Sequence, residues 1–153
     1  MNKLGIDIGG VIITKIDPNS DTSFFSGAFL ETPPEQEAFS TIRDLRERAF
    51  GDEIYIVSKC GPSVEKKTRE WLEHHQFWEV TGVPSRNLHF CRTRAEKAPI
   101  CEALGIQVFV DDRIDVLAHM KTVNTRILFG AVKCQSPYIA APDWRSVNEV
   151  LLG

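Results

Sequence analysis

The feature of this 153-residue sequence that most constrains its fold is a set of five short apolar runs, separated by longer segments of helical periodicity. The runs are rich in β-branched and aromatic residues and nearly continuous, as is typical of strands covered on both faces. Strands that alternate with helices form right-handed βαβ units, so we predict a three-layer, Rossmann-like α/β domain with a five-stranded parallel sheet. The predicted strands are Leu4–Ile8, Ile54–Val57, Leu88–Cys91, Val108–Val110 and Arg126–Phe129.

Five helical segments connect and follow these runs. The first is expected to begin at Thr32-Pro33-Pro34-Glu35, which has the form of a capping box with proline at the first helical position, and to end at Gly51. The second is expected from Ser63 to about Trp78 and the third from near Pro99 to Gly105. The last two are expected directly after Asp112 and after Asp143.

The length suits one domain, which we place over residues 1–153. Only Ile13–Glu31 fits no regular element, and we interpret it as a short flap insert that is too small to be a second domain. Its Phe24, Phe25 and Phe29 could fold over a pocket or pack into the core.

Composition excludes several classes of function. The net charge is −3, and no Lys/Arg cluster indicates a broad nucleic-acid surface. No apolar run reaches membrane-spanning length and the N-terminus lacks a signal-peptide pattern, so we expect a cytoplasmic protein. The cysteines have no metal-binding spacing, and we expect them to be reduced thiols. They are Cys60, Cys91, Cys101 and Cys134.

Polar residues follow the apolar runs at the ends where an α/β sheet binds its ligands. The first run leads into Asp7-Ile8-Gly9-Gly10, and the second leads into Ser58-Lys59. Lys97 comes after the third run, and Asp111-Asp112 ends the fourth. Carboxylate oxygens are ligands for Mg²⁺, and lysine binds phosphate as a point charge. These residues together predict a site for a divalent cation and a phosphate group.

Each of these residues also has an ordinary structural interpretation. Asp112 and Asp115 could cap the fourth helix, and Ser58 could be a turn hydroxyl. Gly9-Gly10 could simply form a tight turn. Asp7 is harder to explain structurally, because a carboxylate that ends a buried strand needs a partner. The coincidence of all these positions at one sheet edge therefore carries the prediction.

Four segments, in the expected order and spread over nearly the whole chain, resemble the motifs of the haloacid dehalogenase-like (HAD) hydrolases. LGIDIGGVI is similar to the first motif, whose Asp is the nucleophile, here Asp7. IYIVS is similar to the second and ends in Ser58, and RAEKAPICEALGI is similar to the third and contains Lys97. VFVDDRIDVL is similar to the paired-acid fourth motif, with Asp111 and Asp112.

The resemblance implies a Mg²⁺-dependent phosphatase in which Asp7 forms an aspartyl-phosphate. It implies that the cation binds to Asp7, the Gly9 carbonyl, Asp111 and Asp112. Ser58 and Lys97 would hold the phosphoryl oxygens, and we add Lys59 and Gly10 as phosphate-binding residues. The expected substrate is a phosphorylated small molecule or an exposed phosphate on a larger one. The sequence leaves the oligomeric state open, including a homo-oligomer whose second subunit closes the site.

Two departures from the family pattern leave alternatives open. The phosphatases usually carry a second Asp, the general acid and base, two residues after the nucleophile, and here that residue is Gly9. The first alternative is therefore a catalytically impaired protein that uses its metal and phosphate pocket for recognition or regulation. The opening GIDIGG also resembles sugar kinases of the actin-like fold, but those have Thr where this chain has Val11 and need two domains. The second departure is the absent cap domain.

Overall fold

The computed structural model describes residues 2–15 and 28–153. A six-stranded sheet has the strand order β3-β2-β1-β4-β5-β6, and every neighbouring pair is parallel. The order reverses between β1 and β4, which is where open α/β sheets form their ligand crevice. The strands are β1 (Leu4–Ile6), β2 (Ile54–Lys59), β3 (Leu88–Cys91), β4 (Val108–Asp111), β5 (Thr125–Phe129) and β6 (Tyr138–Ala141).

The predicted α/β class and parallel sheet are confirmed, but the predicted number of strands was wrong. The additional strand, β6, lies at the edge of the sheet and pairs only with β5 among the described strands. It contains four residues, and Ile139 within it is exposed. A strand this short, with two alanines and an exposed isoleucine, lacks the continuous apolar run that marks the buried strands.

In the part of the chain that the structure describes, six α-helices connect and cover the strands. A π-helical turn, Arg46–Phe50, extends the first of them, and 3-10 turns occur at Phe29–Glu31, Ser85–Asn87 and Arg94–Glu96. In the described ranges, no helix has both the length and the apolar character needed to cross a membrane. The helices are α1 (Ala38–Leu45), α2 (Pro62–His74), α3 (Phe77–Thr81), α4 (Lys97–Leu104), α5 (Ile114–Leu117) and α6 (Trp144–Leu152).

The predicted start of the first helix was wrong by five residues, since α1 begins at Ala38 and not at Pro33. The expected capping segment is instead tied to the loop after β1, because Pro34 forms an antiparallel bridge with Ile13 and the Glu35 amide donates to the Ile12 carbonyl at 2.7 Å. The Thr32 carbonyl accepts a hydrogen bond from the Trp71 indole at 2.8 Å. These long-range contacts outweigh the local capping preference.

The other helix boundaries were predicted more closely. The second helix is divided into α2 and α3 by Gln76, whose φ of 56° is left-handed. The third begins at Lys97, two residues earlier than expected, after a capping box formed by Thr93 and Glu96. The prediction for α6 is confirmed, since the Asp143 side chain accepts a hydrogen bond from the Ser146 amide.

The apolar residues of the strands alternate between the two faces of the sheet. Ile56 and Val110 pack into a cluster with residues of α1, α2, α3 and α6, whereas Val57 and Phe109 pack into a second cluster with residues of α4 and α5. This arrangement confirms the three layers. Gly5 on β1 is needed where Phe109 crosses it, because a Cβ there would lie 2.4 Å from the Phe109 ring.

The predicted flap at 13–31 lies largely outside the described residues, including Phe24 and Phe25. Phe29 is described and packs against the core, which agrees with the core interpretation for that one residue.

Candidate active site

A pocket of about 340 Å³ opens at the carboxyl ends of β1, β2 and β4, beside the start of α4. Parallel strands deliver their C-terminal residues to one sheet edge, so residues far apart in sequence meet there. Most of the predicted site residues line this pocket, and Gly10 is the exception among those described. The predicted residues in its wall are Asp7, Gly9, Ser58, Lys59, Lys97, Asp111 and Asp112.

Lys97 joins two of the predicted carboxylates at the base of the pocket. Its ammonium Nζ donates to Asp7 Oδ1 and to Asp111 Oδ2, each at 2.8 Å. All three residues are buried, with Asp111 fully inaccessible. Lys97 is the first residue of α4, and the capping box of the preceding turn fixes where that helix begins. Lys97 therefore lies in the pocket wall in contact with both carboxylates.

Burial dominates the electrostatics of this group. It raises the pKa of Asp7, against the opposing effect of the Lys97 charge. Burial and the neighbouring Asp7 charge raise the pKa of Asp111 well above its usual value. Burial alone would lower the pKa of Lys97, but the two carboxylates outweigh it and raise that pKa. Two buried carboxylates that share one ammonium are costly to ionise together without a further cation.

Asp112 brings a third carboxylate to the same place. Asp7, Asp111 and Asp112 each offer an oxygen within 4.8 Å of the oxygens of the other two. Oxygen donors of this kind suit Mg²⁺, which is bound by carboxylates and keeps several of its waters. Gly9, the predicted fourth contributor, lines the same pocket and is solvent-exposed. The residues present therefore suit the cation that the sequence predicted.

Lys15 was missed at the sequence level. Its Nζ donates to Asp112 Oδ2 at 2.9 Å, and its side chain lines the pocket. Lys15 follows the short turn after β1 in a segment with no periodic pattern, and its partner lies 97 positions away. No local signal pairs the two residues, so only the folded chain could reveal the contact.

The predicted phosphate-binding residues have different surroundings. Ser58 is buried near the end of β2, and Lys59 beside it is exposed at the pocket. The Gly10 amide donates to the Ile13 carbonyl at 2.8 Å, which makes Gly10 part of the turn. Gly10 has a φ of 79°, and a Cβ there would lie 2.5 Å from Asp112 Oδ2. A glycine is thus required for Asp112 to approach the turn.

Gly9 lies two residues after Asp7, where the resemblance of the first motif would place an acid and base. A Cβ built on Gly9 has no neighbour within 4 Å in the described structure. None of the described residues therefore blocks a side chain at this position.

Comparisons with known proteins agree with this fold. No family model matches the sequence. A protein from Oceanobacillus iheyensis, described as "Putative nucleotidase OB0422", is 27% identical over 100 residues, which are 65% of this chain and 50% of that protein. The chain thus spans about half the length of the curated relative it matches.

Two crystal structures superimpose on nearly the whole chain. An uncharacterized protein from Listeria monocytogenes serotype 4b has a TM-score of 0.63 at 14% identity, covering 99% of this chain and 97% of its own. The D,D-heptose 1,7-bisphosphate phosphatase from Burkholderia thailandensis has a TM-score of 0.62 at 12% identity, covering 100% and 99%. At 14% and 12% identity, these two likenesses show that this chain shares the fold of both proteins, in agreement with the predicted α/β class.

Proposed function

We propose that this chain, which has the fold of the HAD hydrolases, cleaves phosphate monoesters with Asp7 as the nucleophile. The observation that carries the proposal is the buried group of Asp7, Lys97 and Asp111, with Asp112 beside it. Such a group is costly for stability, which is understandable if it serves chemistry. The descriptions of the nucleotidase and the heptose bisphosphate phosphatase both refer to phosphate-ester cleavage and support this class of reaction.

The cation in this proposal is Mg²⁺, held by Asp7, Asp111, Asp112 and the Gly9 carbonyl. It would supply positive charge next to the phosphoryl oxygens as the phosphoryl group moves. The Lys97 ammonium has three N–H groups, two of which donate to carboxylates, so the third can donate to a phosphoryl oxygen. The Ser58 hydroxyl would donate to a second phosphoryl oxygen.

The reaction would proceed in two displacements at phosphorus. A carboxylate oxygen of Asp7 attacks in line, and the bond between phosphorus and the leaving-group oxygen breaks as the new bond forms. The leaving group takes its proton from water or from the substrate itself, since Gly9 has no acidic side chain. Water then attacks the phosphorus of the aspartyl-phosphate, releases inorganic phosphate and restores the Asp7 carboxylate. The substrate would be a phosphorylated small molecule or an accessible phosphate on a larger one.

The direct test is hydrolysis of p-nitrophenyl phosphate by the wild type and by Asp7→Asn. We expect turnover that requires Mg²⁺, stops with EDTA and returns when Mg²⁺ is added in excess. Asp7→Asn should reduce the rate to the background of the buffer with an unchanged circular dichroism spectrum. Asp44→Asn, the same chemical change on α1 outside the pocket wall, is the matched control and should retain the wild-type rate. Wild-type activity in Asp7→Asn would refute the nucleophile assignment.

A recognition role is the second candidate, and Gly9 is the observation that favours it. A positioned acid and base contributes about 10²–10⁴ in rate, and this chain lacks the usual one. Binding of phosphate esters with Mg²⁺, but no turnover at high protein concentration, would support recognition over catalysis.

A further inference from the structure

Thr68 is a buried polar residue of the pocket wall that the proposed reaction does not use. It lies on α2, is 3% exposed and lines the pocket together with Val64, its neighbour one turn earlier on the same face of the helix. No hydrogen bond joins the Thr68 hydroxyl to another of the described residues. A buried hydroxyl without a partner is costly, so this one calls for an explanation.

Solvent reaches this hydroxyl from the pocket. In residues 2–15 and 28–153, the inaccessible side-chain atoms that lack a partner are Arg46 Nε, Arg126 Nε and Asn148 Oδ1, and the Thr68 hydroxyl is not one of them. It therefore keeps contact with solvent, and the pocket that it borders is where so deeply buried a residue meets water. A ligand in the pocket can replace the hydrogen bonds that such a hydroxyl makes to water.

Two other buried threonines show what distinguishes Thr68. Thr81 on α3 has the ordinary arrangement, in which the hydroxyl donates to the Phe77 carbonyl at 2.7 Å and accepts from the Val83 amide at 3.2 Å. Thr41 on α1 has no hydrogen bond from its hydroxyl within the described ranges, but it lies outside the pocket wall. The place of Thr68 in the pocket wall, rather than its burial alone, therefore indicates a role in binding.

Thr68 lies at a distance from the group that reacts. Ser58 holds the phosphoryl group in the proposed reaction, and Gly61 follows it where β2 leads into α2. Thr68 comes seven positions after Gly61, about 10 Å further along the helix axis. Val64 lies between them in the pocket wall, so apolar surface separates the two ends. A ligand that extends from the phosphorus to Thr68 needs several bonds to reach it.

The segment Thr32-Pro33 fixes the position of this wall. One turn beyond Thr68, the Trp71 indole donates to the Thr32 carbonyl at 2.8 Å. The Thr14 amide, in the part of the wall formed by the loop after β1, donates to the Pro33 carbonyl at 3.0 Å. The segment thus connects α2 to that loop, and the Thr68 hydroxyl is held in a defined place in the pocket.

We infer that Thr68 determines specificity: its hydroxyl forms a hydrogen bond with a hydroxyl group on the leaving group of the substrate, and Val64 packs against the carbon atoms between that group and the phosphate. The inference rests on the proposed hydrolysis, which places the phosphoryl group beside Asp7. A threonine hydroxyl both donates and accepts, so it matches another hydroxyl. A charged group is disfavoured here, because the neighbouring Val64 offers it no counter-charge and burial of a charge costs far more than burial of a hydroxyl.

The test compares phosphate monoesters that differ only at the end of the leaving group. Each n-alkyl phosphate from butyl to octyl is paired with the ester in which a hydroxyl replaces the terminal methyl group, so that butyl phosphate is paired with 3-hydroxypropyl phosphate. We expect kcat/KM of the wild type to be about threefold to tenfold higher for the hydroxyl-terminated ester at one or more chain lengths, as one hydrogen bond would give. A preference for the methyl-terminated ester at every length would overturn the inference.

Thr68→Val replaces the hydroxyl by a methyl group of similar size and identifies the residue responsible. At the preferred chain length, the methyl-terminated ester should become the better substrate, because the wall there is then apolar. Thr68→Ser keeps the hydroxyl and should keep the wild-type preference. Thr41→Val makes the matched change on α1, outside the pocket wall, and should also keep it. A hydroxyl preference that survives in Thr68→Val would show that another residue is responsible.

Thermal unfolding separates a role in binding from a role in the fold. Thr68→Val removes no hydrogen bond between described residues and should change the melting temperature by less than about 2 °C. Thr81→Val removes a hydroxyl with two partners and should lower it by several degrees. A decrease of that size in Thr68→Val would show that the hydroxyl serves the fold, contrary to the inference.

Failure of the proposed reaction gives a different result. If no ester is turned over, the dissociation constants of the same pairs, measured by calorimetry with Mg²⁺, replace kcat/KM in both comparisons. Equal dissociation constants within every pair would overturn the inference about Thr68, whereas absence of turnover with unequal constants contradicts only the hydrolysis.

Discussion

Two groups of paired charges lie in one pocket, and they differ chiefly in burial. The Lys97 group at the base has side chains between 1% and 10% exposed, with N–O distances of 2.8 Å. The Arg94, Arg113 and Asp115 group at the rim has side chains between 43% and 50% exposed, with N–O distances of 3.1–3.6 Å. The same chemistry therefore has very different energetic consequences in the two places.

One pocket can thus combine ion pairs of fixed geometry with ion pairs that rearrange easily. At the base, water is excluded, so removing one partner leaves an uncompensated buried charge and the geometry is strongly determined. At the rim, water screens each pair, and the side chains can exchange one anion for another at little cost. The ion pairs at the pocket base are therefore more strongly fixed than those at the rim.

The largest expected effect on stability comes from removing the Lys97 ammonium group at the bottom of the pocket. Lys97→Met should lower the free energy of unfolding by about 3–5 kcal/mol, because Asp7 and Asp111 would remain buried without their shared partner. Urea denaturation measures this change. Lys66→Met, at an exposed position on α2, is the control and should change the stability by less than about 0.5 kcal/mol. A small effect of Lys97→Met would mean that the buried ion pairs contribute no more to stability than the exposed pairs of Asp115.

Gly9→Asp tests whether the pocket can accommodate the general acid and base that this chain lacks. Among the described residues, no atom lies within 4 Å of a Cβ at this position, and an acid here should raise the rate of p-nitrophenyl phosphate hydrolysis by at least about 10²-fold. Gly61→Asp adds the same charge at another pocket-lining glycine with open space around its Cβ and should give no such gain. An unchanged or lower rate in Gly9→Asp would show that the new carboxylate competes with the cation site.

Mg²⁺ bound at Asp7, Asp111 and Asp112 should raise the free energy of unfolding, and the size of this increase should depend on pH. A cation at 100 times its dissociation constant adds about 2.7 kcal/mol to the free energy of unfolding. Burial raises the pKa of Asp7 and of Asp111 in the folded state, so between their usual and raised values the folded protein binds more protons than the unfolded chain. Stability without Mg²⁺ therefore falls as pH rises through that window, and protons compete with the cation below it.

Thermal unfolding with and without Mg²⁺ measures this dependence. The increase in melting temperature should be larger at pH 7.5 than at pH 5.5, and Asp7→Asn should reduce it at pH 7.5. A larger increase at the lower pH would contradict the location of the cation site among these carboxylates.

The smallest expected effect belongs to the rim. Arg113→Gln should change the free energy of unfolding by less than about 1 kcal/mol, because its pair with Asp115 is exposed. Its backbone amide still donates to Asp111, so the base is preserved. Urea denaturation of Arg113→Gln and Lys97→Met under the same conditions measures the free energy of unfolding of both variants. A loss as large as that of Lys97→Met would show that the rim is also structural.

The sequence by itself determined the layers of the fold and most of the residues at the base. Near-continuous apolar strands indicate burial on both faces, and parallel connectivity then delivers Asp7, Ser58 and Asp111 to one sheet edge. These inferences succeed because strand period and capping are local properties, as the Asp143 cap of α6 illustrates.

Only the tertiary structure decided the remaining features. The edge strand β6 forms because β5 offers it a partner, and the capping sequence at Thr32 fails because Ile12, Ile13 and Trp71 bind that segment instead. The contact of Lys15 with Asp112, and the sharing of Asp115 by two arginines, depend on distances between residues remote in sequence. Burial sets the strength of each charge pair, and burial exists only once the chain has folded.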